Sequence, residues 1–217
     1  MSDQSNPPIP AAPRLAPPTL PVRTARLLLR PVLPSDSEAI GGYCRDPDVC
    51  RYLPFEPLDD EGLAARMQRL VAGTAPGETG DHLAVAVVEG ARVVGDLMLR
   101  FQAAIRPGCS PSIAELGWIF DPQARGRGLA LESAQALVDI AFTHYPLHRL
   151  MAQLDPRNTA SARLCERLGM RQEAHTRQDF PEPDGSWSDT AVYGLLRAEW
   201  QGARAQRVAT RPPAPRS

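Results

Sequence analysis

The residues that first invite a chemical reading lie in 121-DPQARGRGLALE-132. Gln123-Ala124-Arg125-Gly126-Arg127-Gly128-Leu129-Ala130 sets two glycines and two arginines at the mouth of an apolar stretch with helical spacing. A helix N-terminus leaves backbone N–H groups unpaired, and its dipole favours an anion there. Glycine lets the chain bend tightly and lets a ligand approach the backbone. Arginine pairs with phosphate oxygens. Together these predict a phosphate seat; a strand-to-helix turn with solvated arginines is the alternative. The two common nucleotide fingerprints do not fit. G-x-G-x-x-G would need glycine at 131, where Leu131 stands, and a P-loop needs a lysine, which the chain lacks altogether.

One strand earlier, 112-SIAELGWIF-120 places Ile113, Glu115, Gly117 and Ile119 on one side and Ala114, Leu116, Trp118 and Phe120 on the other. Glu115 is then a lone carboxylate in an apolar strand. Burial would raise its pKa and make it a better proton acceptor near neutral pH; a glutamate on a solvated face is the other reading. Gly117 beside bulky Trp118 suggests a bulge or a close backbone approach. Asn158 precedes a short helix and suits an N-cap. Cys165, with an unperturbed pKa of about 8.5, is either a proton donor or a small packed residue. His175, Arg177 and Asp179 alternate on a late strand, with Trp187 after a turn. Tyr43, Arg51, Tyr52 and Phe55 lie in or after the first helix. Either group could border a second substrate or be ordinary surface.

The elements that must position these residues are legible from periodicity. Strands are predicted at 24–32, 82–89, 92–102, 112–120, 149–155, 171–180 and 188–196, with hairpin turns at Gly90-Ala91 and Asp184-Gly185. Helices are predicted at 35–53, opened by a Ser35/Glu38 capping signal, and at 58–73, 127–145 and 159–169. The order β-α-α-β-β-β-α-β-α-β-β describes a mixed α/β (α+β) domain over 23–200. Residues 1–22, with seven prolines, read as a flexible arm, and 201–217 as a flexible basic, proline-rich tail.

Composition narrows the classes. The chain has 217 residues, a formal net charge of −1 and 43% apolar residues, enough for one packed core. Near-zero net charge argues against binding nucleic acid by charge alone. All basic side chains are arginine, so no lysine can act as a base or Schiff-base former. Cys44, Cys50, Cys109 and Cys165 form no C-x-x-C pair, and the histidines show no metal-ligand spacing. No metal, no membrane span and no signal peptide are expected, so a cytoplasmic protein with reduced thiols is the default.

The stretches 115-ELGWIFDPQARGRGLALES-133, 149-RLMAQLDPRNTASARLCERLGM-170 and 193-YGLLRAEW-200 resemble the GNAT superfamily of acetyl-CoA-dependent N-acyltransferases. Its pyrophosphate loop reads Q/R-x-x-G-x-G/A, matched by 123-QARGRG-128. Within it the chain looks like the branch of ribosomal-protein N-terminal acetyltransferases, RimJ/RimL-like. The resemblance spans about 23–200. It implies a mixed, mostly antiparallel sheet splayed between two central strands, with helices on both faces. It also implies acetyl-CoA as co-substrate, seated by Gln123, Arg125, Gly126, Arg127, Gly128, Leu129 and Ala130. Backbone groups of Trp118, Ile119 and Phe120 would contact the pantetheine arm, as would Asn158. Glu115 would be the general base. Many relatives carry a proton-donating tyrosine where this chain has Cys165, so the acid is cysteine or water. The acceptor would be a protein N-terminus or a small-molecule amine, and a homodimer is allowed for. Two rivals stand beside this reading: a non-catalytic acyl-CoA-binding sensor on the same fold, and an RNA- or ribosome-binding protein using the arginines.

Overall fold

The run HLAVAVVE has no polar alternation, which is what a strand needs when both faces of its sheet are covered. The computed structural model describes residues 18–73, 82–102 and 112–209, and it covers this strand on both faces. Leu83, Val85 and Val87 enter one core and Ala84, Ala86 and Val88 the other. The strands are β1 (Val22–Arg23), β2 (Leu27–Pro31), β3 (His82–Glu89), β4 (Arg92–Phe101), β5 (Ile113–Phe120), β6 (Arg149–Leu154), β7 (Arg171–Pro181) and β8 (Trp187–Leu196). They form one sheet in the order β1-β2-β3-β4-β5-β6-β8-β7. Every neighbouring pair is antiparallel except β5 and β6. The expected mixed, mostly antiparallel sheet is what forms.

The helices are α1 (Ser37–Cys44), α2 (Pro47–Cys50), α3 (Asp60–Ala72), α4 (Leu129–His144), α5 (Thr159–Arg167) and α6 (Arg197–Ala209). α1 and α3 bury Ile40, Tyr43, Leu63, Met67 and Leu70 in the core that holds Ala84 and Ile119. α4 and α5 bury Leu129, Leu137, Phe142, Leu164 and Cys165 in the core that holds Leu83, Ala114 and Leu116. β5 thus lies between two cores, and its side chains alternate between them.

Four expectations are corrected. Segment 35–53 is not one helix: a 3-10 turn (Pro34–Asp36) leads into α1, and α2 starts afresh. Pro47 cannot continue a helix, and Asp46 caps α2 by accepting from the Asp48 N–H at 2.9 Å. Ser35 is not the cap; Asp36 accepts from the Leu33 N–H at 2.8 Å and pairs with Arg30. β5 carries no bulge at Gly117, since its register with β4 is continuous from Ala114 to Phe120. Finally, order does not end at 200. Trp200 is buried, tilts onto Phe142 at 5.3 Å between centroids and donates to Asp139 at 2.6 Å. Arg197 donates to the carbonyls of Phe142, Tyr145 and Leu147 around the C-terminus of α4. With its start anchored this way, α6 runs through Ala209. The rest of the predicted tail, 210–217, and residues 1–17 of the predicted arm lie outside the described residues, as does Cys109.

Candidate active site

The glycine loop is held from three sides. Asp121 accepts from the Gln123 N–H at 2.8 Å, and Arg92 clamps Asp121 and the Gln123 side-chain oxygen, each at 2.6 Å. Arg26 donates to the Arg127 carbonyl at 2.9 Å and pairs with Glu132 in the first turn of α4. Gly126 (φ 71°) and Gly128 (φ 75°) both take the left-handed conformation that other residues avoid. Gly128 is the N-cap of α4 with no side chain to cap it, so the first N–H groups of the helix face outward. A cleft of about 410 Å³ opens on this point, lined by Arg125, Gly126, Gly128 and Ala130 from the loop side.

Three expected contributors point elsewhere. Arg127 is spent on Glu89, with bonds of 2.6 and 2.8 Å, because the loop tip lies over the end of β3. Leu129 is fully buried in the core, so only its backbone can serve a ligand. The Gln123 side chain is likewise committed to Arg92. Sequence reasoning missed Arg163 and Arg167, which line the cleft opposite Arg125. Their i,i+4 spacing on α5 puts both guanidiniums on one helix face, and that spacing was the available signal.

From this seat the cleft follows β5. β6 pairs with β5 only at Ile113, Ala114 and Glu115 and then diverges. β4 stays paired with β5 to Phe120. Gln102 N–H donates to the Ile113 carbonyl and Asp121 N–H to the Val94 carbonyl, so odd-numbered residues of β5 bond to β4. The backbone groups of Leu116, Trp118 and Phe120 therefore face the opening. The Ile119 backbone does not join them, being turned to β4, although its largely buried side chain lines both clefts. The Trp118 indole bridges the opening to Ser161 Oγ at 3.2 Å. Asn158 caps α5 by accepting from the Ser161 N–H at 3.1 Å, and it also lines the cleft.

Past Trp118 and Asn158 the opening passes into a second cleft of about 500 Å³ on the α3 side of the sheet. Glu115 lies in its wall and is not a lone carboxylate: Arg100, directly opposite it on β4, is ion-paired with it. His82 faces Arg100 on β3, so His82, Arg100 and Glu115 make a row across three strands. Its Nε2 lies 2.9 Å from the Arg69 carbonyl. At the far end Asp96, 2% exposed, accepts from the Tyr43 hydroxyl at 2.7 Å and from Arg66 at 2.6 Å. Burial, with Asp96 alongside, drives the Tyr43 phenol well above its usual pKa. Asp96 was overlooked, although a single acid in RVVGDLML carries the same signal as Glu115.

Cys165 settles as the packed residue. It is fully buried, lines neither cleft, and burial pushes its thiol up to about 12. Leu164, Cys165 and Leu168 are all buried in the same core, so the buried stripe of α5 is wide enough to take in position 165. Tyr52 and Phe55 line the second cleft, whereas Tyr43 lies beneath it. His175 pairs with Asp189 at 2.7 Å. Asp189, Phe180 and Arg51 line a side recess of about 310 Å³ that also touches Glu115. Arg177, Asp179 and exposed Trp187 line none of these clefts. Among the described residues no cluster of three or more potential metal ligands occurs, and no helix is long and apolar enough to cross a membrane.

The model of the acetyltransferase (GNAT) domain matches residues 26–171. An uncharacterized N-acetyltransferase of Bacillus subtilis (strain 168) is 27% identical over 179 residues, 82% of this chain and 98% of that protein. The [ribosomal protein uS5]-alanine N-acetyltransferase of Escherichia coli (strain K12) is 30% identical over 89 residues, 41% of this chain and 45% of that one. The crystal structure of a GNAT-family acetyltransferase from Bacillus anthracis superposes with a TM-score of 0.70 at 26% identity, covering 82% of this chain and 99% of the other.

Proposed function

The chain belongs to the acetyltransferase (GNAT) domain family, and from that premise we propose that it moves an acetyl group from acetyl-CoA to a primary amine by direct attack. The observation that carries the proposal is the open edge of β5 between an arginine-lined cleft at the α4 N-terminus and a carboxylate-bearing cleft. The α4 N-terminus with Arg125, Arg163 and Arg167 would hold the phosphates. The pantetheine arm would add to β5 as a short strand, using the Trp118 and Phe120 backbone as one sheet edge uses another. An N–H in this stretch would meet the thioester oxygen as negative charge grows on it. Asn158 would reach the same arm with its amide donors.

The acceptor amine would enter through the second cleft. Glu115, positioned by Arg100, would take a proton from the ammonium directly or through water. The amine nitrogen then bonds to the acetyl carbon, the C–S bond breaks, and the second proton the nitrogen sheds passes through water to the departing thiolate, since the buried Cys165 thiol cannot reach it. The acceptor is a protein N-terminal α-amine or a small-molecule amine, acetylated in the cytoplasm. The local similarity to the ribosomal-protein enzyme supports the first and the RimJ/RimL-like branch. The test is release of free thiol from acetyl-CoA over a panel of peptides and small amines. Glu115→Gln should lower kcat by roughly a hundredfold or more with acetyl-CoA affinity unchanged. Undiminished kcat across the pH range would remove Glu115 from the mechanism.

A further inference from the structure

Gly117 sits in the middle of β5, where glycine is less favourable than a residue with a side chain. The described structure gives no reason for it. Its φ is not positive. A Cβ at this position would meet only the Met98 terminal methyl, at 3.7 Å, an ordinary contact. The two other strand glycines differ. A Cβ on Gly95 would stand 2.4 Å from the Phe120 ring and 2.6 Å from the Ile119 carbonyl oxygen. A Cβ on Gly194 would stand 2.5 Å from both Arg149 and Glu173. Those glycines serve packing; Gly117 leaves space.

The space has a definite place. Gly117 is two residues from Glu115 on the same sheet face, about 7 Å along the strand, and lines the same cleft. In the row beyond His82–Arg100–Glu115, the register aligns Ala84, Met98 and Gly117. The cleft surface next to the carboxylate is therefore a flexible methionine and bare backbone, with Ala84 fully buried behind them. Phe55, Leu70 and Ile119 add apolar wall.

We propose that Gly117 determines acceptor specificity: the carbon that bears the reacting amine carries an apolar side group, and that group rests on the bare Gly117 backbone with Met98 limiting its size. The substrate class is an α-amine flanked by an apolar substituent, as at the N-terminus of a peptide. This inference rests on the cleft being the acceptor side of an acetyl-transfer site.

The test is free-thiol release from acetyl-CoA with glycinamide, alaninamide, leucinamide and phenylalaninamide, using wild type, Gly117→Ala, Gly117→Val and Met98→Ala. Wild type should prefer amides with apolar side groups over glycinamide. Gly117→Val should raise KM for leucinamide at least tenfold more than for glycinamide, with acetyl-CoA affinity and Tm held. Met98→Ala should shift preference towards phenylalaninamide. If Gly117→Val fails to fold, Gly117→Ala and Met98→Ala carry the comparison. An unchanged side-group profile in the folded variants overturns the proposal, and so does a wild type that rejects all four amides while acetylating other amines. No thiol release with any amine would instead overturn the acetyl-transfer reading itself.

Discussion

Gly126 offers a clean separation of shape from charge at the proposed phosphate seat. Its φ of 71° lies in the left-handed region, and a Cβ placed there meets nothing within 4 Å. A side chain at this position therefore projects into open space at the mouth of the α4 cleft. Asn and Asp are nearly equal in shape, and both tolerate this backbone better than other residues, at a cost of about 1 kcal/mol. They differ by one negative charge. Against a phosphate about 6 Å away, one charge is worth about 0.7 kcal/mol in bulk water and about 2.8 kcal/mol at the effective dielectric of a protein surface. Gly126→Asn should then bind acetyl-CoA slightly more weakly than wild type. Gly126→Asp should bind roughly tenfold more weakly than Gly126→Asn, a gap of about 1.4 kcal/mol. The gap should shrink as salt is raised, because an exposed charge is screened. Isothermal titration calorimetry with acetyl-CoA at low and high salt reads all three values, and Tm confirms that both variants fold. Equal affinity for the Asp and Asn variants at low salt would refute a phosphate at this loop.

Two further outcomes follow from burial. Cys165→Ala should leave kcat and its pH profile within about twofold and cost about 1 kcal/mol of stability, or about 3 °C in Tm; a tenfold loss of kcat at unchanged Tm would return the thiol to the mechanism. Asp36 is the acid-sensitive post under α1. Burial raises its pKa, but hydrogen bonds from Arg30 and the Leu33 N–H and the charge of Arg30 outweigh that and hold it below the ordinary value. A lowered folded-state pKa gives stability that is complete above the unfolded value, about 3.9, and is lost as pH falls through the folded value. Asp36→Asn should therefore lower Tm at pH 6 by the equivalent of about 2 kcal/mol, and the difference from wild type should shrink steadily as pH falls below about 4. A gap in thermal melts that does not shrink as pH is lowered through that range would contradict the assignment.

Much of this architecture was readable from residue order alone. Among the described residues, seven of the eight strands carry their own signal, because β-periodicity and turn dipeptides such as Gly90-Ala91 act locally. The omitted β1 is two residues long. The glycine loop was also local: two closely spaced glycines ahead of an apolar helix mark a tight turn at its mouth, whatever lies elsewhere in the chain. What misled was distance along the chain. Arg127 looked available until Glu89 was found beside it, 38 residues away in sequence. Glu115 looked isolated until Arg100 stood across the strand pair. Order beyond residue 200 was hidden because α6 is polar by composition and is anchored by Trp200 and Arg197 against α4.

The sequence by itself determined the family, the glycine loop and the strand that carries Glu115, since each is written in contiguous residues. Only the tertiary structure decided which groups are free to act. Ion pairing spent Arg127 and positioned Glu115, and burial retired Cys165. Strand parity chose Trp118 and Phe120 over Ile119, and α5 brought Arg163 and Arg167 to the cleft. Availability is a property of contacts between segments far apart in the chain.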